Sequence, residues 1–400
     1  MNSRERVRIV LNGSVPDHVP CGLGGCETTG LHLLAYKKLQ ELLKTEKRPP
    51  RLDTFMCNAV FELDVLNAMG GDFLLLESPH MCKSPFWAEG SEKLWKPQEL
   101  WGESFLVPVN DRFRQLENGT IIWETNNNTV CPNGAFYFDS PAQTDLFADF
   151  EYPSPDSFCP PMDLDDEFLR NLEKTAQKMY EETEFCICLG ETITDLQFAP
   201  GGMIGSMVLM AEQPDVMMEY LEKLLASALS QLKQLDQAVG KYVDILLIAH
   251  DLGDNNGVII GDEMWRKIYK PYYKRLFEGW HQITSMKINL HSCGSVVGIM
   301  EDLIECGTDI INPVQTSARG MSPEYLKKMY GDRIIFWGGG YDAQLFSPTD
   351  NYEHVYNVVA ENIRIFKQNG GYIFSGVHNL PPNLPESHLA AMLDAWRDNR

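Results

Sequence analysis

The 400-residue chain repeats one pattern almost from end to end: a short apolar run followed by a longer stretch of helical periodicity. Eight runs have the length and composition of strands, at 19–23, 72–76, 185–190, 244–250, 287–291, 309–312, 334–338 and 371–375. Helical patterns lie between most of them, for example at 217–238, 262–283, 296–306 and 352–367. Strand-then-helix alternation implies parallel strands joined by right-handed crossovers. Eight such units at this length predict an α/β fold closed as a single (β/α)8 TIM barrel. A doubly wound open sheet is the alternative, but it usually carries a phosphate fingerprint, and neither GxGxxG nor GxxxxGK[ST] occurs. The Gly338-Gly339-Gly340 run is expected to be a tight strand exit.

One interval, 77–166, breaks the alternation. It is rich in Trp, Pro, Asn and Gly, with Trp87, Trp95, Trp101 and Trp123, and 104–129 has the pattern of an antiparallel excursion turning at Glu117-Asn118-Gly119-Thr120. A long insertion after an early barrel strand is expected to cap the catalytic face. With no internal repeat or low-complexity linker, 1–400 is expected to be one domain with 77–166 as its inserted cap.

The formal charge of −22 repels phosphate backbones and argues against nucleic acid as a partner, while leaving the surface able to steer a basic protein. No apolar run approaches the ~18 residues of a membrane span, and 1–6 lack the apolar core of a signal peptide. The ten cysteines form no disulfide framework. They suit reduced thiols in a cytoplasm.

The chemistry gathers at the predicted strand ends, which in a parallel barrel form the catalytic face. The fifth strand runs into Lys287-Ile288-Asn289-Leu290-His291-Ser292-Cys293-Gly294. Residues i and i+2 of a strand point to one side, so His291 and Cys293 can converge, and imidazole plus thiolate is a zinc-ligand pair. A third ligand is needed, and His378, directly after the last strand, is the candidate. An isolated His-x-Cys is also what a hydrogen-bonded strand-end histidine and a buried thiol look like. The other strand ends tip the balance, since they carry Glu191, His250, Asp251, Asp254, Asn312, Gln315, Tyr341 and Asp342. Asp251 and Glu191 are candidate catalytic carboxylates, although Asp251 could equally form an Asx turn and Glu191 a cap. Asn312 and Tyr341 are candidate substrate contacts. Cys306 and His250 are expected in the core, and His388 on a helix start away from the mouth.

These residues, with Glu5-Arg6-Val7, Leu11-Asn12-Gly13, Pro16-Asp17-His18-Val19-Pro20, Asp309 to Gln315, Gly331-Asp332-Arg333 and the closing 381–392, give the chain a resemblance over nearly its whole length. It resembles the uroporphyrinogen decarboxylase superfamily, on its corrinoid-dependent methyltransferase branch. That branch includes zinc-dependent methylcobalamin:coenzyme M methyltransferases and the methyltransferases of O-demethylase systems. The resemblance implies zinc held by His291 and Cys293, with cobalamin carried by a partner corrinoid protein. In the coenzyme M enzymes the third ligand is a cysteine after the last strand, where this chain has His378. The decarboxylase branch grips its substrate's carboxylates with arginines after the first strand, but 21–27 here contain none and one acid, Glu27. The expected activity is zinc-dependent methyl transfer between a small, methoxylated and plausibly aromatic substrate and a corrinoid protein. Methyl transfer from methylcobalamin to a thiol is the rival within the class. A uroporphyrinogen-type decarboxylase, or a barrel that binds a tetrapyrrole or corrinoid without turnover, is the rival outside it.

Overall fold

The computed structural model describes residues 1–53, 56–76, 91–139 and 154–400. Trp87, with the start of the expected insertion at 77–90 and a later stretch of it at 140–153, lies outside the described residues. Seven parallel strands stand side by side in chain order: Phe73–Leu76, Cys186–Leu189, Ile245–Ala249, Lys287–His291, Ile310–Asn312, Ile335–Trp337 and Tyr372–Ile373. The ring closes through 20–22. On one side Gly22 N–H donates to the Phe374 carbonyl at 2.7 Å and Phe374 N–H to the Pro20 carbonyl at 2.9 Å. On the other, Asp72 N–H donates to the Cys21 carbonyl at 3.0 Å, and Cys21 N–H to the Asp72 carboxylate at 2.8 Å. The predicted first strand is therefore a two-sided bridge rather than a ladder, in keeping with Pro20, which has no N–H to give.

Period-2 alternation separates two cores. Phe73, Cys186, Ile245, Ile310, Ile335, Trp337 and Ile373 share a cluster with Val7, Val10 and Leu11 of the helix Ser3–Leu11. Their sequence neighbours Leu74, Ile187, Leu246, Ile311, Phe336, Tyr372 and Phe374 pack instead into the larger cluster with the surrounding helices. The first set fills the barrel and the second faces its helical shell, which is why the strands have continuous apolar sequences. Helix Ser3–Leu11, started by an Asn2–Glu5 capping box, closes the end from which the strands begin. Its arginines fix it there. Arg4 donates to the carbonyls of Tyr180, Thr183 and Phe185, Arg6 reaches Asp72 at 2.6 Å, and Arg8 reaches Asp244 at 2.7 Å.

Two helices depart from expectation. The pattern at 262–283 divides into Asp262–Ile268 and Lys270–Ile283, because Pro271 cannot donate a helical hydrogen bond and its ring opposes the carbonyl of residue 267. The pattern at 296–306 starts as a 3-10 turn, Val297–Ile299, before Met300–Cys306.

The described part of the excursion is antiparallel. Trp95–Leu100 pairs with Glu103–Pro108, and Phe113–Gln115, Ile121–Trp123 and Thr129–Cys131 form a second small sheet. Its turn lies where predicted, with Leu116 N–H donating to the Thr120 carbonyl at 2.8 Å and Gly119 in the left-handed region at φ +85°. The sheets rest against the turn after the first strand, where the His32 ring lies 5.1 Å from Trp101 and its Nε2 is 3.0 Å from the Phe136 carbonyl. Residues 154–165 follow another course. They run along the helix Pro214–Val239, where Ser227 and Gln231 both donate to the Pro161 carbonyl at 2.6 Å.

The Arg6–Asp72 pair sits at the barrel seam, with side-chain exposures of 9% and 1%. Arg6→Met is expected to leave Asp72 buried without its cation and to destabilise the fold by about 3–5 kcal/mol. Urea unfolding measures this. An unchanged midpoint would mean the seam does not depend on the pair.

Candidate metal centre

His291 is the last residue of its strand, in register with Ala249 on one side and Asn312 on the other. Its Nδ1 lies 3.0 Å from Asn312 Oδ1. The Asn312 amide is oriented by its own partners, since Nδ2 donates to the Trp337 carbonyl at 3.1 Å and Oδ1 accepts from the Thr28 hydroxyl at 2.7 Å. His291 Nδ1 must therefore carry the ring proton, which leaves the lone pair on Nε2. That nitrogen is 3.6 Å from Cys293 Sγ.

Cys293 is held by the turn that follows the strand. Its N–H donates to Asp251 Oδ1 at 3.0 Å, and the next N–H, of Gly294, donates to Gln315 Oε1 at 2.8 Å. Gly294 has φ +78°, and a Cβ there would strike the backbone of Gly253. Only glycine satisfies both demands. His378 enters from the last strand's exit, its ring centroid 5.3 Å from that of His291 at 74°. One donor atom from each of His291, Cys293 and His378 lies within 4.8 Å of the other two.

Tetrahedral zinc with nitrogen and sulfur ligands places donors about 3.5 Å apart, so the set needs to contract by roughly 1 Å at its widest. His291 and Cys293 are already oriented for this. In His378, Nδ1 accepts the Asn379 N–H at 2.8 Å, which places the neutral ring's proton on Nε2. A metal at Nε2 would reverse that, so the ring must leave this contact to bind. The protonation states suit ligation. Burial lowers both imidazoles, His378 to about 4 with His291 adding to the effect, so both are neutral near pH 7. Burial, with Asp251 adding to it, pushes Cys293 up to about 12. Without a cation it is a thiol, and a bound cation would release its proton.

Asp251 is half exposed and its Oδ1 lies 3.8 Å from His291 Nε2, so it borders the trio. Glu191 stands one strand further round, where its Oε1 accepts the Ala249 N–H at 3.2 Å and its own N–H donates to Glu27 Oε2 at 3.2 Å. Burial, with Asp195 nearby, raises Glu191 to about 7. Glu27 is a buried acid of the same mouth that sequence reasoning had not singled out as a site residue. Its signal was present as the lone charge in 21–27.

The remaining expected contacts are drawn elsewhere. Asn312 is fully buried and its polar atoms engage His291, Thr28 and Trp337, which makes it a support for His291. Tyr341 directs its hydroxyl to His388 Nδ1 at 3.0 Å and stacks on Phe346 at 4.9 Å, within the packing behind the mouth. His388, expected to stand apart, is therefore the partner of Tyr341. Asp254 forms an Asx turn, its Oδ1 accepting from the N–H groups of Asn256 and Gly257. Cys306 is buried in the core as expected, and His250 is buried with its Nδ1 2.5 Å from the Tyr273 hydroxyl.

Residues 201–399 match the model of the uroporphyrinogen decarboxylase (URO-D) family, a span that contains His291, Cys293 and His378. No curated protein matches the chain in sequence. Among solved structures, a methyltransferase from Methanosarcina mazei overlays 100% of this chain and 99% of its own, with TM-score 0.58 and 12% identity. A family 5 glycoside hydrolase from Prevotella bryantii B14 overlays 58% of this chain and 77% of its own, with TM-score 0.33 and 9% identity. A dihydropteroate synthase from Xanthomonas albilineans overlays 38% and 52%, with TM-score 0.26 and 15% identity. The family match meets the motif-based resemblance to the URO-D superfamily over 201–399, and the first overlay extends the barrel fold to the whole chain.

The raised Glu191 predicts a pH dependence of stability. A carboxyl raised in the folded state stabilises below its ordinary range, and that contribution is lost as pH rises through its folded value, here about 7. Between about pH 5 and 8 the parent should lose stability relative to Glu191→Gln. Thermal melts of both proteins across that window test it, and parallel curves would show that Glu191 titrates normally.

Proposed function

We propose that this protein is a zinc-dependent methyltransferase that moves a methyl group between a small methoxylated substrate and a corrinoid carried by a partner protein. The observation that carries the reading is the convergence of His291, Cys293 and His378 at the barrel mouth. The URO-D family match and the whole-chain overlay on a methyltransferase support it.

With one thiolate and two neutral imidazoles, bound zinc would keep a net positive charge and supply Lewis acidity toward an ether oxygen. A donor set with two thiolates would cancel that charge and suit activation of a substrate thiol instead. The single sulfur in the trio is what favours an ether over a thiol. Asn312 fixes the tautomer that presents His291 Nε2, and Asp251 holds the Cys293 backbone through its N–H. Loss of the methyl group leaves the substrate oxygen with an extra electron pair and in need of a proton. Glu191 retains a proton close to neutral pH, which suits it to that supply. The buried acid Glu27, and the absence of arginine in 21–27, weigh against a substrate with many carboxylates.

Purified protein is expected to hold about one zinc per chain, and Cys293→Ala to reduce this to a small fraction. His378→Cys should retain zinc yet slow demethylation of methoxylated compounds, assayed with a corrinoid partner. Undiminished zinc in C293A would remove the metal centre. An H378C protein as fast as the parent would remove the argument from ligand charge.

A further inference from the structure

A cavity of about 30 Å³ lies under the turn that follows the first strand position, and no role above has used it. Glu27 and Gly30 of that turn line it, with Asp53 and Asn58 from the next loop and Leu74 and Leu75 from the strand Phe73–Leu76. Such a volume holds one ion or one or two waters and excludes an organic ligand.

Three oxygen-bearing side chains face this space. Glu27 is 2% exposed, Asp53 7% and Asn58 2%. Among the described residues, no lysine, arginine or histidine lines the cavity. Cys26 also lines it, but its thiol lies 3.4 Å from the Thr28 hydroxyl and 3.5 Å from that of Thr29. Asn58 carries the decisive atom. Its Oδ1 is buried and has no hydrogen-bond partner among the described residues. The amide stands against Gly30, where a Cβ would lie 3.2 Å from both Asn58 Cγ and Nδ2. The Asn58 backbone is held separately, since its carbonyl accepts the Asp53 N–H at 2.8 Å. A buried amide oxygen is costly unless something meets it, so the cavity's occupant must be electron-poor. Beside two carboxylates, a cation meets that demand better than a water.

We propose that this cavity is a site for one hard divalent cation of calcium's size, bound by Glu27, Asp53 and the Asn58 amide oxygen. An all-oxygen set of carboxylates and an amide selects hard cations and leaves zinc to the nitrogen and sulfur donors of the mouth. Calcium accepts irregular sets of such ligands, whereas magnesium keeps several waters, for which this volume has no room. The cation would tie the loop of Asp53 and Asn58 to the turn carrying Glu27, which in turn accepts the Glu191 N–H at 3.2 Å. The inference does not depend on the methyl-transfer reading.

The experiment is equilibrium dialysis of the zinc-loaded full chain against calcium chloride, in about 0.15 M KCl to screen loose binding to the acidic surface. About one calcium per chain should bind saturably, with half-saturation below about 1 mM. Magnesium should bind at least about tenfold more weakly. Asn58→Leu, which removes the unmet oxygen, should weaken calcium at least about tenfold while zinc content stays at the parent value. Asn58→Asp, which restores an oxygen and adds a charge, should bind calcium as tightly as the parent or tighter, a rescue that general damage to the loop would not give. No saturable calcium site would overturn the proposal and leave the cavity to water. Equal affinity for magnesium, unaltered binding by N58L, or N58D no tighter than N58L would overturn it equally.

Discussion

One buried amide holds the mouth of this barrel in order. Asn312 Oδ1 accepts hydrogen bonds from His291 Nδ1 and the Thr28 hydroxyl, and its Nδ2 donates one to the Trp337 carbonyl. The first, fifth, sixth and seventh strand exits are thereby tied through a single side chain that is fully buried. The two ends of an amide are chemically different, so its orientation also decides which nitrogen of His291 is free. If Asn312 were turned over, Nε2 would lose its lone pair and no ligand could be offered to Cys293's side. Buried networks of this kind are strong when every member is satisfied and costly when one is not.

The opposite end of the barrel does different work. There Val7, Val10 and Leu11 fill the interior from below, while Arg4, Arg6 and Arg8 attach their helix to the starts of neighbouring strands. Stability is concentrated at this end and chemistry at the other, the usual division of an α/β barrel. The mouth also carries acids: Asp251 borders the trio, and Glu191 and Glu27 meet further round the strand exits. Burial disfavours the charged form of Glu191 and raises it to about 7, so it holds a proton part of the time at neutral pH.

Much of this was legible in the residues. Parallel strands buried on both faces give unbroken apolar runs, so all eight barrel positions could be placed, and the exits of the fifth and eighth strands named His291, Cys293 and His378. What escaped depends on directions in space. That Asn312 would turn inward to serve His291, and Tyr341 away toward His388, follows from hydrogen-bond partners hundreds of residues apart or in other elements. The break at Tyr269 was legible in principle from Pro271, but the apolar periodicity of Lys270–Ile283 continues across it. The path of 154–165 along an outer helix is set by Ser227 and Gln231 finding the Pro161 carbonyl, which no local pattern announces.

The central claim is that three particular side chains, one sulfur and two imidazoles, form a zinc site at the mouth. X-ray absorption at the zinc edge of the purified protein tests it most directly. The account predicts one sulfur neighbour at about 2.3 Å, two imidazoles at about 2.0–2.1 Å and one further light atom. A first shell with no sulfur, or with two or more, would contradict it.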